Sequence, residues 1–128
     1  MNKYVLAAAL ILSSPSFAGD VSSNLEGKYN CSGKELGTNT AFKCEMLIKK
    51  TGQTYLSTAT CDDGNSYKGN GIYNQNSQHL STGFINLKKA EETGVTVTEV
   101  KADGSLDTAW TYLNSSTIGH TQCVKQQA

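Results

Sequence analysis

The sequence predicts an all-β protein, an eight-stranded antiparallel up-and-down β-barrel stabilised by disulfides. Three observations carry this expectation. Turn-forming residues recur about every 10 to 14 positions. The stretches between them are short and rich in Thr, Val, Ile, Tyr and Phe, and no window has a helical period. The cysteines number four, Cys31, Cys44, Cys61 and Cys123, with no Cys-x-x-Cys pair among them. That spacing argues against a zinc knuckle or a thioredoxin-type redox centre and favours two disulfides.

The elements follow in chain order. Met1 to Lys3 is a short cationic start, Tyr4 to Leu12 is an apolar run too short to span a bilayer, and Ser16-Phe17-Ala18 offers small residues at a cleavage site. Residues 1–18 are therefore expected to be a signal peptide and residues 19–128 a single barrel domain. An export route also suits the even cysteine count, because disulfides persist in oxidising compartments. The expected strands are Glu26–Ser32, Phe42–Lys49, Thr54–Cys61, Ser66–Tyr73, Leu80–Leu87, Val95–Lys101, Ser105–Leu113 and Thr117–Lys125. Turns fall at Gly33 to Asn39, Lys50-Thr51-Gly52, Asp62 to Asn65, Asn74 to Ser77, Glu91 to Gly94, Asp103-Gly104 and Asn114-Ser115. Asp103-Gly104 is the strongest hairpin signal, since both positions tolerate positive φ in a type I′ turn.

Alternation assigns the faces. Phe42, Cys44, Met46 and Ile48 share one face of the second strand, opposite Lys43, Glu45 and Lys49. In the seventh strand Leu106, Thr108, Trp110 and Tyr112 share a face opposite Asp107, Ala109 and Thr111. One buried face per strand with short links describes a barrel or a sandwich. A closed meander is the simplest order, and closure removes two exposed edges. Closure makes the first and last strands neighbours, so Cys31 can meet Cys123 while Cys44 faces Cys61 across the Thr51-Gly52 hairpin. The rival pairing, Cys31–Cys44 with Cys61–Cys123, would put its second bridge between strands that are not adjacent.

Gly27-Lys28-Tyr29-Asn30-Cys31-Ser32-Gly33, Tyr67-Lys68-Gly69-Asn70-Gly71-Ile72-Tyr73, Leu80-Ser81, Gly94-Val95 and Asp103-Gly104-Ser105-Leu106 followed by Trp110-Thr111 resemble small exported bacterial proteins of lipocalin-like or avidin-like barrel character. The resemblance runs through most of the expected mature chain and implies the fold more than an activity. Such proteins often carry a Trp four residues after the Tyr that matches Tyr55, and Ala59 stands there instead. With Trp110 as the single Trp, the several Trp walls of an avidin-type biotin site are missing. Tyr29-x-Cys31, Thr51-Gly52-x-x-Tyr55 and Lys68-Gly69 are also similar to the periplasmic inhibitors of c-type lysozyme. There a Ser-Gly-x-x-Tyr loop enters the enzyme's cleft, and here Thr51 occupies the Ser place.

Composition narrows the function. The chain has 11 Lys, no Arg and 11 acidic residues, so it lacks the basic face that nucleic acid requires. His79 and His120 are the only imidazoles, and neither a Gly-x-Ser-x-Gly elbow nor a His-Glu-x-x-His helix is present. Asp62-Asp63-Gly64-Asn65 lacks the rest of a calcium loop, and Glu91-Glu92 reads as a solvated turn whose carboxylates diverge. No catalytic residue, metal set or cofactor is therefore expected. The expected function is non-catalytic binding of a small ligand, glycan or protein partner, in the periplasm or beyond, without membrane insertion. The expected contact residues are Tyr55, Tyr67, Trp110 and Tyr112, with Thr51 added for the alternative reading as a hydrolase inhibitor. A lining rich in Thr would be mixed in polarity.

Overall fold

A computed structural model describes residues 25–127. The expected signal peptide lies outside that range. The chain forms a closed barrel in which β1 to β8 are neighbours in sequence order, every pair antiparallel. The strands are β1 (Gly27–Lys34), β2 (Ala41–Thr51), β3 (Thr54–Cys61), β4 (Ser66–Asn74), β5 (His79–Asn86), β6 (Lys89–Val100), β7 (Leu106–Tyr112) and β8 (Gly119–Lys125). Closure comes from β1 pairing with β8, Tyr29 opposite Lys125 through Gly33 opposite Thr121. Outward positions on these strands carry exposed charges, among them Lys28, Lys43, Glu45, Lys49 and Lys68. A barrel facing hydrocarbon would place an apolar band there.

The four cysteines lie in one row around the inner wall. Cys31 stands opposite both Cys44 and Cys123, and Cys44 stands opposite Cys61. The bridges are Cys31–Cys123 and Cys44–Cys61, as the strand order implies. Cys31 and Cys44 also being direct neighbours, the choice of partner rests on the other half of the rival pairing, because β3 and β8 are not neighbouring strands.

Two expectations about turns need correcting. The chain from Glu91 to Gly94 is strand, not turn, so β6 begins at Lys89 and pairs with β5 through an irregularity at Ile85/Asn86. Gly94 is there for space: a Cβ would collide with the Thr111 carbonyl oxygen and approach the Phe84 ring at 2.9 Å. The Asp103-Gly104 hairpin exists, but only Gly104 has positive φ (88°). Gly104 N–H donates to the Lys101 carbonyl and Lys101 N–H to the Ser105 carbonyl. That is the longer hairpin turn with a left-handed Gly, in place of a type I′ turn.

One end of the barrel is sealed. Leu25, Tyr29, Ile48, Tyr55, Leu80, Val100 and Leu106 form its buried core, with Tyr73 packed against it. Tyr29 donates a 2.8 Å hydrogen bond to the Leu25 carbonyl, which ties the segment before β1 across the base. Tyr55 and Tyr73 meet edge to face at 6.2 Å, the arrangement ring quadrupoles favour. Desolvation in this plug pushes the Tyr29 hydroxyl pKa up to about 12.

Candidate functional site: the open mouth of the barrel

The opposite end stays open onto a cavity of about 340 Å³. This is within the range of small-molecule sites. Its wall changes character with depth and with direction. The floor is the top of the plug, Ile48, Leu80 and Leu106. The two disulfides and Met46 form one side. A threonine belt from β5 to β8 forms the other: Thr82 is opposite Thr96, and Thr108 is opposite both Thr98 and Thr121. Thr98 and Thr108 hydroxyls share a 2.8 Å hydrogen bond, and Trp110 Nε1 donates to Thr121 Oγ1 at 2.9 Å. Thr98 and Thr108 thus satisfy each other and Thr121 holds the indole, while the belt as a whole brings methyl groups as well as hydroxyls to the cavity wall.

At the mouth five half-buried rings run in an unbroken chain. Phe42 meets Trp110 at 6.5 Å, Trp110 meets Tyr112 at 5.4 Å, Tyr112 meets Phe84 at 6.1 Å and Phe84 meets Tyr67 at 5.9 Å. Glycines opposite four of them keep the lumen clear. Gly33 is paired with Phe42, Gly94 with both Phe84 and Tyr112, and Gly119 with Trp110. A Cβ on Gly119 would collide with the indole, and one on Gly33 would sit 2.8 Å from the Phe42 ring. The Phe42, Phe84 and Trp110 rings therefore each lie against a bare stretch of neighbouring backbone. With a side chain there, the ring would have to shift.

A polar knot closes one side of the rim. Asn86 is fully buried. Its amide donates to Glu92 Oε1 at 2.8 Å and to Asn65 Oδ1 at 3.2 Å, while its carbonyl oxygen accepts from Lys88 N–H at 2.9 Å. Tyr112 OH donates to the same Glu92 oxygen at 3.4 Å. Burial raises the pKa of both Tyr67 and Tyr112, and their mutual hydrogen bond and the Glu92 charge push Tyr112 further up. Both phenols stay neutral donors at physiological pH.

The expected contact residues divide between the two ends. Tyr67, Trp110 and Tyr112 come together at the mouth. Tyr55 belongs to the sealed plug and Thr51 lies on the exposed β2–β3 turn beyond it. There Thr51 and Thr54 hydroxyls bond each other at 3.0 Å. A hairpin entering an enzyme cleft from that turn would carry Thr51 but not the Tyr55 ring, which points into the barrel. The sequence reading missed Phe42 and Phe84 as mouth residues, although their alternation with inward neighbours and the glycines opposite them were the available signal. It also misjudged Glu92, whose carboxylate is turned into the rim knot with 25% of its side chain exposed. Glu91, on the outer face, is exposed as expected.

The geometry defines a class: closed up-and-down antiparallel barrels with one sealed end and one open, cavity-bearing end. No protein-family model matches the chain, and neither does any curated protein. A solved structure described as "EF1p2_mFAP2b bound to DFHBI" is similar to it, with a TM-score of 0.55 and 10% identity over 84% of this chain and 97% of that one. At that identity the likeness establishes the shared barrel fold.

Proposed function

We propose that this protein is a non-catalytic binding protein that admits one small, mostly apolar molecule into the barrel through the ring-lined mouth. The observation that carries the reading is the cavity itself. An eight-stranded barrel can fill its interior with side chains, and here the aromatic residues that could fill it lie against glycines on the wall. The fully buried Leu25, Tyr29, Ile48 and Leu106 plug the far end, which leaves the upper lumen free. Two buried disulfides suit an exported protein working in an oxidising compartment. The fold neighbour's binding of DFHBI agrees with a small-molecule role for such a barrel without specifying the ligand here.

Titration of the oxidised protein with Nile red, an uncharged aromatic dye, tests this. Saturable binding of about one dye per barrel is expected, with loss of binding when Thr96→Phe narrows the lumen and circular dichroism shows the barrel intact. Absence of saturable binding, or binding indifferent to the lumen substitution, would overturn the proposal.

A further inference from the structure

The charges lining the mouth are lopsided. Glu35, Asp63 and Glu92 face the cavity against Lys89 alone among the described charged residues there. Lys89 is a weak counter-charge: its ammonium stands 4.0 Å from Glu92 Oε2 and 56% of its side chain is exposed, where solvent screens such a pair. Lys88, on the same turn, donates to the Gly64 carbonyl at 2.6 Å. Resting on the small-molecule reading above, we propose that the ligand is an organic cation: an ammonium group held at the rim between Glu92 and the faces of the neighbouring rings, with an apolar body reaching down toward the disulfide row.

Three physical arguments converge on this chemistry. Any ligand that covers the mouth takes water from Glu92, and a desolvated carboxylate is costly unless a positive charge compensates it. Glu92 Oε1 already accepts from Asn86 and Tyr112, so the carboxylate is held at a fixed position. Among the described residues, the one ammonium within ion-pair reach of its Oε2 is that of Lys89, 4.0 Å away. The adjoining Tyr67, Phe84, Tyr112 and Trp110 rings offer negative π-faces to a cation. An anion would meet three carboxylates and electron-rich faces at once. A neutral molecule would desolvate Glu92 with nothing in return. The depth profile of the wall then orients the guest, with sulfur and aliphatic groups below and carboxylates above.

The test compares three probes that share a phenyl ring and a two-carbon spacer: phenethylamine, phenethyl alcohol and hydrocinnamate. Each is titrated against the oxidised protein by displacement of Nile red at low salt. The amine is expected to bind about ten-fold tighter than the alcohol, the acid weakest, with the gap narrowing as salt is raised. Glu92→Gln, which keeps an acceptor for Asn86 and Tyr112, should bring the amine-to-alcohol ratio down toward one. Glu35→Gln combined with Asp63→Asn should lower the same ratio by a smaller factor and guards against a folding defect at Glu92. Equal affinities for amine and alcohol, or preference for the acid, would overturn the cation assignment while leaving small-molecule binding standing. Failure of Nile red itself to bind would remove both.

Discussion

Tyr29 and Tyr112 are the same residue type on inward-facing positions of one barrel, yet they have opposite fates. Tyr29, at the sealed end, is fully buried and bonds the backbone of Leu25. Tyr112, at the open end, is half-buried, touches two rings and reaches a carboxylate. What separates them is their surroundings. At the base, Leu25, Ile48, Leu80, Val100 and Leu106 converge on the axis and fill it. At the mouth the cross-strand neighbours include glycines, and the polar knot around Asn86 takes the place of aliphatic packing. A barrel with identical inner periodicity throughout can thus be solid at one end and hollow at the other.

The disulfide row lies between the two regions, and removing it should weaken both. Cys31→Ser with Cys123→Ser opens a loop of 92 residues and should cost about 4 to 5 kcal/mol in the loop-entropy account. Cys44→Ser with Cys61→Ser, spanning 17 residues, should cost about 3 kcal/mol. Urea unfolding followed by circular dichroism measures both, and a reversed order would mean that barrel closure does not depend on the β1–β8 link.

The contrast between ends is sharpest in two truncations. Tyr29→Ala should destabilise by about 3 to 4 kcal/mol, as expected for an aromatic removed from a filled core. Trp110→Ala, at the mouth, should cost about 1 to 2 kcal/mol, because the ring is only partly desolvated, and should weaken Nile red binding by about ten-fold. If Trp110→Ala destabilised as much as Tyr29→Ala while leaving dye affinity intact, the mouth would be a second core and the comparison would fail.

A smaller effect is expected from Gly119→Ala. The added Cβ displaces the Trp110 indole from its bare backbone bed, which should cost about 1 kcal/mol and weaken dye binding by a few-fold. The fluorescence maximum of the single Trp should shift at the same time. An unchanged emission spectrum would show that the glycine is not what positions the ring.

The smallest consequence at neutral pH is an alkaline one. The folded Tyr29 pKa of about 12 lies above the ordinary tyrosine value of 10.0, so its contribution to stability is fully present below pH 10. As pH rises from about 10 to about 12 the unfolded chain loses this proton first and the contribution shrinks. Tyr29→Phe, which cannot ionise there, should flatten that part of the stability-versus-pH curve. Since Tyr55, Tyr67, Tyr73 and Tyr112 are also raised, part of the slope should survive in the variant, and a completely flat curve would assign the whole alkaline loss to Tyr29.

Much of this architecture was legible in one dimension. Residues such as Phe42, Cys44, Met46 and Ile48 alternate cleanly because a strand has a period of two, so facing follows directly from spacing. The sealed and open ends were not legible, since Tyr29, Tyr55, Tyr67 and Tyr112 all occupy similar inward positions. Glu91-Glu92-Thr93-Gly94 carries turn composition and was misread for that reason. In the barrel Gly94 serves the Phe84 ring and the Thr111 carbonyl, both remote in sequence.

The sequence by itself determined the class of fold, the order of strands, the inner and outer faces, and the pairing of Cys31 with Cys123 and Cys44 with Cys61. These depend on local periodicity, turn chemistry and adjacency in a meander, all of which are written along the chain. Only the tertiary structure decided that Leu25 and Tyr29 would seal one end, that Gly33, Gly94 and Gly119 would hold rings off the axis at the other, and that Glu92 would turn into the rim. Those outcomes depend on which side chains meet across strands and around the closed circumference, and that is set by the register and tilt of all eight strands together.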